Sequence, residues 1–220
     1  MSIAFDDGYS GVSTYAAPLL QKYGFATTQY IIGNRVGKTA YMTLAQIKAL
    51  QTQGHEIASH TVSHPRLAQI SSTQLQTELA DSKAQLESWL GVPVTNLAYP
   101  YGSYNTAVKT ATAQYYASGR SVEVGFNSKA TLDRYNIRIQ KVINTTTTAQ
   151  IAQWVAQAQA TNTWLVLTYH SIDPNTVNPP SGAQYNNSPA QLDSHLAAIK
   201  ASGVTVKTMQ QALAEVTSQP

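Results

Sequence analysis

The chain has 220 residues, with 14 Lys and Arg against 11 Asp and Glu, a formal net charge of +3, and charged residues at only 11%, where an average soluble domain carries about 25%. Its isoelectric point near 9.0 comes from a small surplus in a charge-poor sequence with no cluster of four or more basic residues, which argues against a nucleic-acid partner. The absence of cysteine excludes disulfides, thiolate nucleophiles and Cys-ligated zinc or iron–sulfur centres, and no apolar run approaches the roughly 18 residues of a membrane span.

Length and a 43% hydrophobic content suffice for one well-buried core, and no linker divides the chain, so residues 1–220 read as a single domain. In chain order, strands are predicted at Ser2–Phe5, Ala26–Gly33, His55–Ser59, Asn96–Tyr99, Ser121–Phe126, Ile137–Ile143, Trp164–His170 and Val204–Met209. Helices are predicted between them at Thr14–Tyr23, Leu44–Thr52, Ser71–Leu90, Thr106–Tyr115, Thr147–Ala160 and Pro189–Ser202, with a final helix after Met209. Ser72 or Thr73 is the expected cap of the long helix, and Gly91 with Pro93 its stop. Strand–helix alternation implies parallel strands covered by helices. About seven to eight strands suit a closed (β/α) barrel, with a doubly wound open sheet as the alternative. Either architecture places ligand chemistry at the C-terminal ends of the strands.

The reactive residues gather at those ends. Asp6 and Asp7 end the first strand, and a turn begun at Gly8 brings both carboxylates to one mouth. His60 and His64 follow the third strand at a spacing of four, which lets both imidazoles face one cation in a helical turn or tight loop and leaves open coordination positions. His170 ends an apolar strand at the same mouth and is a candidate general acid. His55 reads as a structural strand residue, and His195 as surface or helix packing. The irregular segment Ser171–Ser188, with its Tyr185, has the length of a lid or binding loop. The group Tyr99, Tyr101 and Tyr104 offers rings for sugar stacking.

Four motifs occur in order: FDDG at Phe5–Gly8, SHTVSHP at Ser59–Pro65, AYPYGSYN at Ala98–Asn105 and LTYH at Leu167–His170. On these the sequence resembles the NodB-type polysaccharide deacetylases, carbohydrate esterase family 4, and within them a bacterial branch with YPYG in the third motif. The resemblance implies a distorted (β/α) barrel holding one divalent metal, usually zinc, with cobalt, nickel or manganese as alternatives. It assigns Asp7, His60 and His64 as ligands, Asp6 as the base that deprotonates the metal-activated water, the Tyr101 backbone N–H as an oxyanion donor and His170 as the acid for the leaving amine.

Two departures from the family pattern stand out. The Arg that pairs with the catalytic Asp in most of the family is replaced by Ala98, so Arg120 is expected to supply that cation from the next strand, with Arg138 as runner-up. The aliphatic residue two before the acid His is Thr168, leaving Leu167 or Trp164 to line the acetyl pocket. The implied partner is an acetylated carbohydrate, such as a chitin oligomer, poly-N-acetylglucosamine or peptidoglycan, met by an extracellular or cell-surface monomer, although MSIAFDDG at the N-terminus shows no signal peptide. An acetylxylan O-acetyl esterase and a carbohydrate-binding pseudoenzyme are the competing expectations.

Overall fold

Each of seven short parallel strands finds a hydrogen-bonded neighbour on both sides, so the sheet closes into a barrel in sequential order. The computed structural model describes residues 1–175 and 179–218. The strands are β1 (Ser2–Phe5), β2 (Thr28–Ile31), β3 (Glu56–Ser59), β4 (Asn96–Ala98), β5 (Ser118–Val124), β6 (Ile137–Lys141) and β7 (Val166–Tyr169). Closure comes from β1, which pairs with β2 on one side and with β7 on the other, Ser2 opposite Val166 through Phe5 opposite Tyr169. The covering helices are α1 (Ala17–Tyr23), α2 (Leu44–Thr52), α3 (Ser72–Leu90), α4 (Thr106–Thr112), α5 (Thr148–Thr161), α6 (Pro189–Ala201) and α7 (Met209–Ser218).

Strand periodicity sorts the core into three parts. Ile3, Phe5, Leu165 and Leu167 face outward onto α1, α5 and α6, while Ile31, Ile57 and Leu97 face outward onto α2, α3 and α4. The alternate residues Ala4, Tyr30, Ala58, Ala98, Ile139 and Val166 point into the lumen. Three of these are alanine, so the upper lumen has room for a long side chain. The lower end is stoppered by Met209, Ala212 and Leu213 of α7. Glu56 ties that stopper on: it accepts hydrogen bonds from Thr28 Oγ1 (2.8 Å), the Gln210 backbone N–H (2.9 Å) and Asn96 Nδ2.

Several helix starts follow from local chemistry. Thr43 with Gln46, Ser71 with Gln74 and Thr147 with Gln150 form reciprocal capping boxes. The cap of α3 is therefore Ser71, just before the expected Ser72 or Thr73, with its side chain and that of Gln74 in reciprocal hydrogen bonds. Gly91 ends that helix at φ 70°.

Two expected strands differ. Val204–Met209 is not a strand: β1 already has both neighbours, so no edge is free. Residues 204–208 instead pass beside the chain start, where the Met1 ammonium donates to the Thr205 carbonyl and Lys207 N–H to the Met1 carbonyl, both at 2.9 Å. β5 begins at Ser118 rather than Ser121. Gly119 reads as a loop residue but is required in the strand, since a Cβ there would lie 2.0 Å from Tyr99 Oη. The segment Ser171–Ser188 is bracketed by a short parallel pair, β8 (Ser171–Ile172) with β9 (Asn186–Asn187); its residues 176–178 lie outside the described residues.

The Glu56 network gives a stability test. Glu56→Ala removes three donors' shared acceptor and is expected to cost about 2–4 kcal/mol in thermal or urea unfolding. Burial raises the Glu56 carboxyl above its ordinary 4.5, so the folded chain binds that proton more tightly than the unfolded one. The stability linked to it is present below pH 4.5 and lost as pH rises through the folded value; the gap between wild type and Glu56→Ala should widen as pH falls from 7 toward 4.5.

Candidate active site

The strand ladders continue just far enough to aim the site. Asp6 N–H donates to the Tyr169 carbonyl (2.9 Å), His60 N–H to the Ile31 carbonyl (2.8 Å) and Tyr99 N–H to the Arg120 carbonyl (3.0 Å). Beyond them the backbone turns sharply. Asp7, Thr61, His64 and Tyr101 all have positive φ, between 57° and 71°, and Gly8 follows Asp7 at φ 79°. For residues with a Cβ this conformation is costly and recurs at functional sites. Two successive left-handed residues turn Asp7 and Gly8 back over the barrel mouth, so that the neighbouring carboxylates of Asp6 and Asp7 share one cavity of about 540 Å³.

Asp6 meets Arg120. The guanidinium, fully buried, crosses from β5 and places Nη2 2.5 and 2.6 Å from the two Asp6 oxygens. Arg120 is the register partner of Ala98 on β4, and the small Ala98 side chain leaves it the lumen. Tyr30 lies beneath, its ring 5.0 Å from the guanidinium carbon. Arg138 stands elsewhere, on the outer face of β6, with Nε 3.6 Å from Glu123 Oε2. Burial pushes the Asp6 carboxyl up, but the Arg120 charge, with lesser contributions from His60 and His170, outweighs it and holds Asp6 below the usual carboxylate range. Asp6 is therefore ionised at neutral pH.

Asp7, His60 and His64 converge on one point. Asp7 Oδ1 lies 3.5 Å from His60 Nε2 and 3.4 Å from His64 Nε2, and the two Nε2 atoms are 3.2 Å apart. A tetrahedral ion with bonds of about 2.0–2.2 Å needs donor atoms about 3.3–3.6 Å apart, so the triangle fits a divalent metal. Its chemistry fits too. His60 Nδ1 lies 2.8 Å from the Ala98 carbonyl, which only accepts, so the ring proton sits on Nδ1 and Nε2 presents a lone pair. Burial pushes His60 down to about 3 and His64 to about 4, so both rings are neutral at pH 7, the form that could bind a metal; burial and the Asp6 charge raise Asp7 to about 7. Among the described residues this is the one group of three or more His, Asp or Glu side chains so arranged.

The His60–Pro65 segment is a tight loop rather than a helical turn. Ser59 Oγ accepts from Thr61 N–H (3.1 Å) and Thr61 Oγ1 from His64 N–H (3.0 Å). Glu78 of α3 accepts from the backbone N–H groups of Val62 (2.8 Å) and Ser63 (3.0 Å) and from the Ser63 hydroxyl. Sequence reasoning treats α3 as a cover and misses Glu78. The one signal, a lone acid between Thr77 and Leu79, is indistinguishable from a solvated helix face.

His170 lies beside Asp6, with Nε2 3.9 Å from Asp6 Oδ2, its ring 4.8 Å from that of Tyr185 and Nδ1 without a hydrogen-bond partner. Burial lowers its pKa, against the pull of the Asp6 charge. Tyr101, 55% exposed, leans its ring against His64 at 4.5 Å. Tyr99 borders the cavity but is fully buried, with one face of its ring stacked on Tyr104. Thr168 lines the cavity, but Leu167 packs outward under the helices and Trp164 sits low, donating to Ser2 Oγ; Val122, Val124 and Ile139 form the apolar wall instead. The two other histidines are structural. His55 Nδ1 accepts from Thr27 N–H at 3.1 Å, and the buried His195 bridges Tyr169 Oη and the Thr146 carbonyl, packing rather than surface.

Comparison with known proteins places these residues in context. The family model described as "Polysaccharide deacetylase" matches residues 1–118. A peptidoglycan-N-acetylglucosamine deacetylase of Bacillus cereus is 35% identical over 114 residues, 50% of this chain and 51% of the relative. The Streptococcus pyogenes deacetylase PplD, solved in complex with acetate, is 34% identical with a TM-score of 0.59, covering 63% of each chain. A Clostridium thermocellum family 4 acetyl xylan esterase, solved with a cobalt ion, shares the fold at 21% identity and a TM-score of 0.68, covering 97% of this chain and 89% of its own. The chain spans about half or less of the length of the first curated relatives it matches.

Metal titration tests the ligand set. Zinc or cobalt added to the stripped protein is expected to bind at a single site by calorimetry, and His60→Ala to lose it. Glu78→Ala keeps all three ligands but frees their loop, and is expected to weaken binding about tenfold. Unchanged affinity in His60→Ala would place the ion elsewhere.

Proposed function

Because the chain belongs to the polysaccharide deacetylase family, we propose that it removes N-acetyl groups from N-acetylglucosamine-containing poly- or oligosaccharides outside the cell or at its surface, residues 1–220 forming one catalytic domain of the YPYG branch. The observation that carries this reading is the Arg120-held Asp6 carboxylate beside the Asp7, His60 and His64 triangle, with His170 lining the same cavity. A divalent ion bound by the triangle, zinc in this reading, supplies Lewis-acid polarisation of the acetyl carbonyl and lowers the pKa of the attacking water.

The chain's own groups do the rest. Asp6, ionised and fixed by Arg120, accepts the proton of the attacking water at a carboxylate oxygen. The oxygen adds to the amide carbon, and the Tyr101 N–H donates to the carbonyl oxygen as it gains charge. The C–N bond then breaks, acetate departs and His170 Nε2 delivers a proton to the leaving nitrogen. Tyr101 sits at a positive φ with its ring against His64, which puts its backbone beside the triangle. An amine leaves poorly unless protonated, so an acid beside the base suits amide cleavage. The same residues suit the O-acetyl ester of a xylan, the reading favoured by the fold shared with the xylan esterase; acetate release from acetylated chitooligosaccharide and acetylxylan side by side separates the two.

Residue roles are testable by rate and pH. Asp6→Asn is expected to lower kcat by about 10²–10⁴ with metal affinity retained; near-normal kcat would overturn the base assignment. His170→Ala should slow amide substrates far more than p-nitrophenyl acetate, whose leaving group needs no proton. Arg120→Ala removes the charge that lowers the Asp6 carboxyl, so less base is ionised at low pH and the acidic limb of the pH–rate profile should move upward. An unmoved limb would show that Arg120 is structural only.

A further inference from the structure

The cavity that holds the proposed chemistry is ringed by cations with no carboxylate of their own. Arg35 follows β2, Arg66 follows the ligand loop and Lys141 ends β6, and all three line the mouth. Each rests on a tyrosine that lines it too: the Arg35 guanidinium lies 5.6 Å from the Tyr41 ring centre, that of Arg66 4.4 Å from Tyr101, and Lys141 Nζ 5.6 Å from Tyr185. Away from the cavity, some cations form ion pairs, Lys22 with Asp193, Lys83 with Glu87, Lys109 with Asp133, Arg138 with Glu123 and Lys207 with Glu215, and others, such as Lys48, stand dispersed over the surface. Only at the mouth, among the described residues, do three without an ion pair converge on one opening. Among the described residues, no such pair includes Arg35, Arg66 or Lys141. Among the described residues, the only carboxylates lining the cavity are Asp6, paired with Arg120, and Asp7, which sits in the triangle and on which Arg35 acts at a distance.

A mouth built for neutral sugar alone would leave its aromatic faces open for C–H stacking. Here a cation lies over each of three tyrosine rings, which fixes its position and, for the two arginines, keeps the N–H edge free for a planar or tetrahedral oxyanion. In a chain so poor in charge, three unpaired cations around one opening select for the opposite sign.

We propose that the preferred substrate is an acidic glycan, in which a carboxylate or phosphate on a sugar near the acetylated one docks among Arg35, Arg66 and Lys141. This rests on the deacetylase reading and adds to it the charge of the substrate.

The test uses the zinc-loaded full chain and three oligosaccharides of equal length: N-acetylglucosamine alone, N-acetylglucosamine alternating with glucuronate, and a phosphorylated N-acetylglucosamine oligomer. At low ionic strength kcat/KM for one acidic oligomer is expected to exceed that for the neutral one by about tenfold, the combined effect of three exposed ion pairs. The ratio should collapse in about 0.5 M salt, where the screening length falls to about 4 Å. Arg66→Glu and Lys141→Glu should lower the acidic-to-neutral ratio through KM, and Lys48→Ala on the outer surface of α2 should not. The carboxylate and phosphate arms tell which oxyanion is taken. Acetate release with an acidic-to-neutral ratio near one overturns this proposal and leaves the deacetylase reading standing. If no oligosaccharide yields acetate, the deacetylase reading fails instead. Calorimetric binding of the same three oligomers to the zinc-loaded Asp6→Asn variant then decides the rim by itself: tighter binding of an acidic oligomer supports it, equal binding or none overturns it.

Discussion

One ion pair inside the barrel governs the site. A guanidinium without solvent contact reaches both oxygens of a carboxylate from the far side of the lumen, Arg120 on β5 to Asp6 at the end of β1. Taking either charge out of water alone would cost several kcal/mol, so each is tolerable only while the other is in place. Their geometry depends on volume as well as charge. Ala4, Ala58 and Ala98 leave a lumen wide enough for an extended Arg, and Tyr30 supports it from below. The stopper from α7 closes the lower lumen with apolar side chains, a low-dielectric surrounding in which the pair interacts more strongly. The Asp6 carboxylate, the barrel's width and its closed floor are thus parts of one arrangement.

Above that pair, the ligand triangle depends on strain held by hydrogen bonds. His64 holds a left-handed backbone in a loop where Thr61, itself left-handed, accepts its N–H and Glu78 gathers the N–H groups of Val62 and Ser63. A relaxed loop would carry His64 away from His60. The helix that supplies Glu78 thereby contributes to the site from a face directed inward at the loop, while its Leu75, Leu79 and Leu86 build the core.

Much of this was legible in the sequence. Strand ends carrying Asp6, Asp7, His60, His64 and His170 could be placed at one mouth by alternation alone, and seven of eight expected strands are present. The eighth failed because apolar alternation at Val204 and Val206 reports burial, whereas strand formation also needs a free edge, which closure of β1 on β7 removes. The Arg120 pairing could be anticipated only by noticing that Ala98 lacks a cation; that the two are cross-strand partners depends on register. Glu78, Tyr30 and the paired rim of cations and tyrosines were invisible, because their partners lie far away in sequence and their residue types are ordinary on any surface. Leu167 and Trp164 show the converse: their apolar character was plain, but the barrel's pleat turns one outward and places the other at the floor.

The three capping boxes have a bearing on how the molecule responds to its medium. Each uses Gln rather than Glu as the returning side chain, and none of α2, α3, α5 and α6 has an acid in its first turn. Helix termination is therefore accomplished by neutral groups, which neither titrate nor are screened by salt. The scaffold and the cavity answer to different variables: ionic strength acts on the charges at the mouth while leaving the helix starts untouched. In a charge-poor chain of this kind the helix starts contribute nothing to the salt response, which falls on the few surface ion pairs and on the cations at the opening.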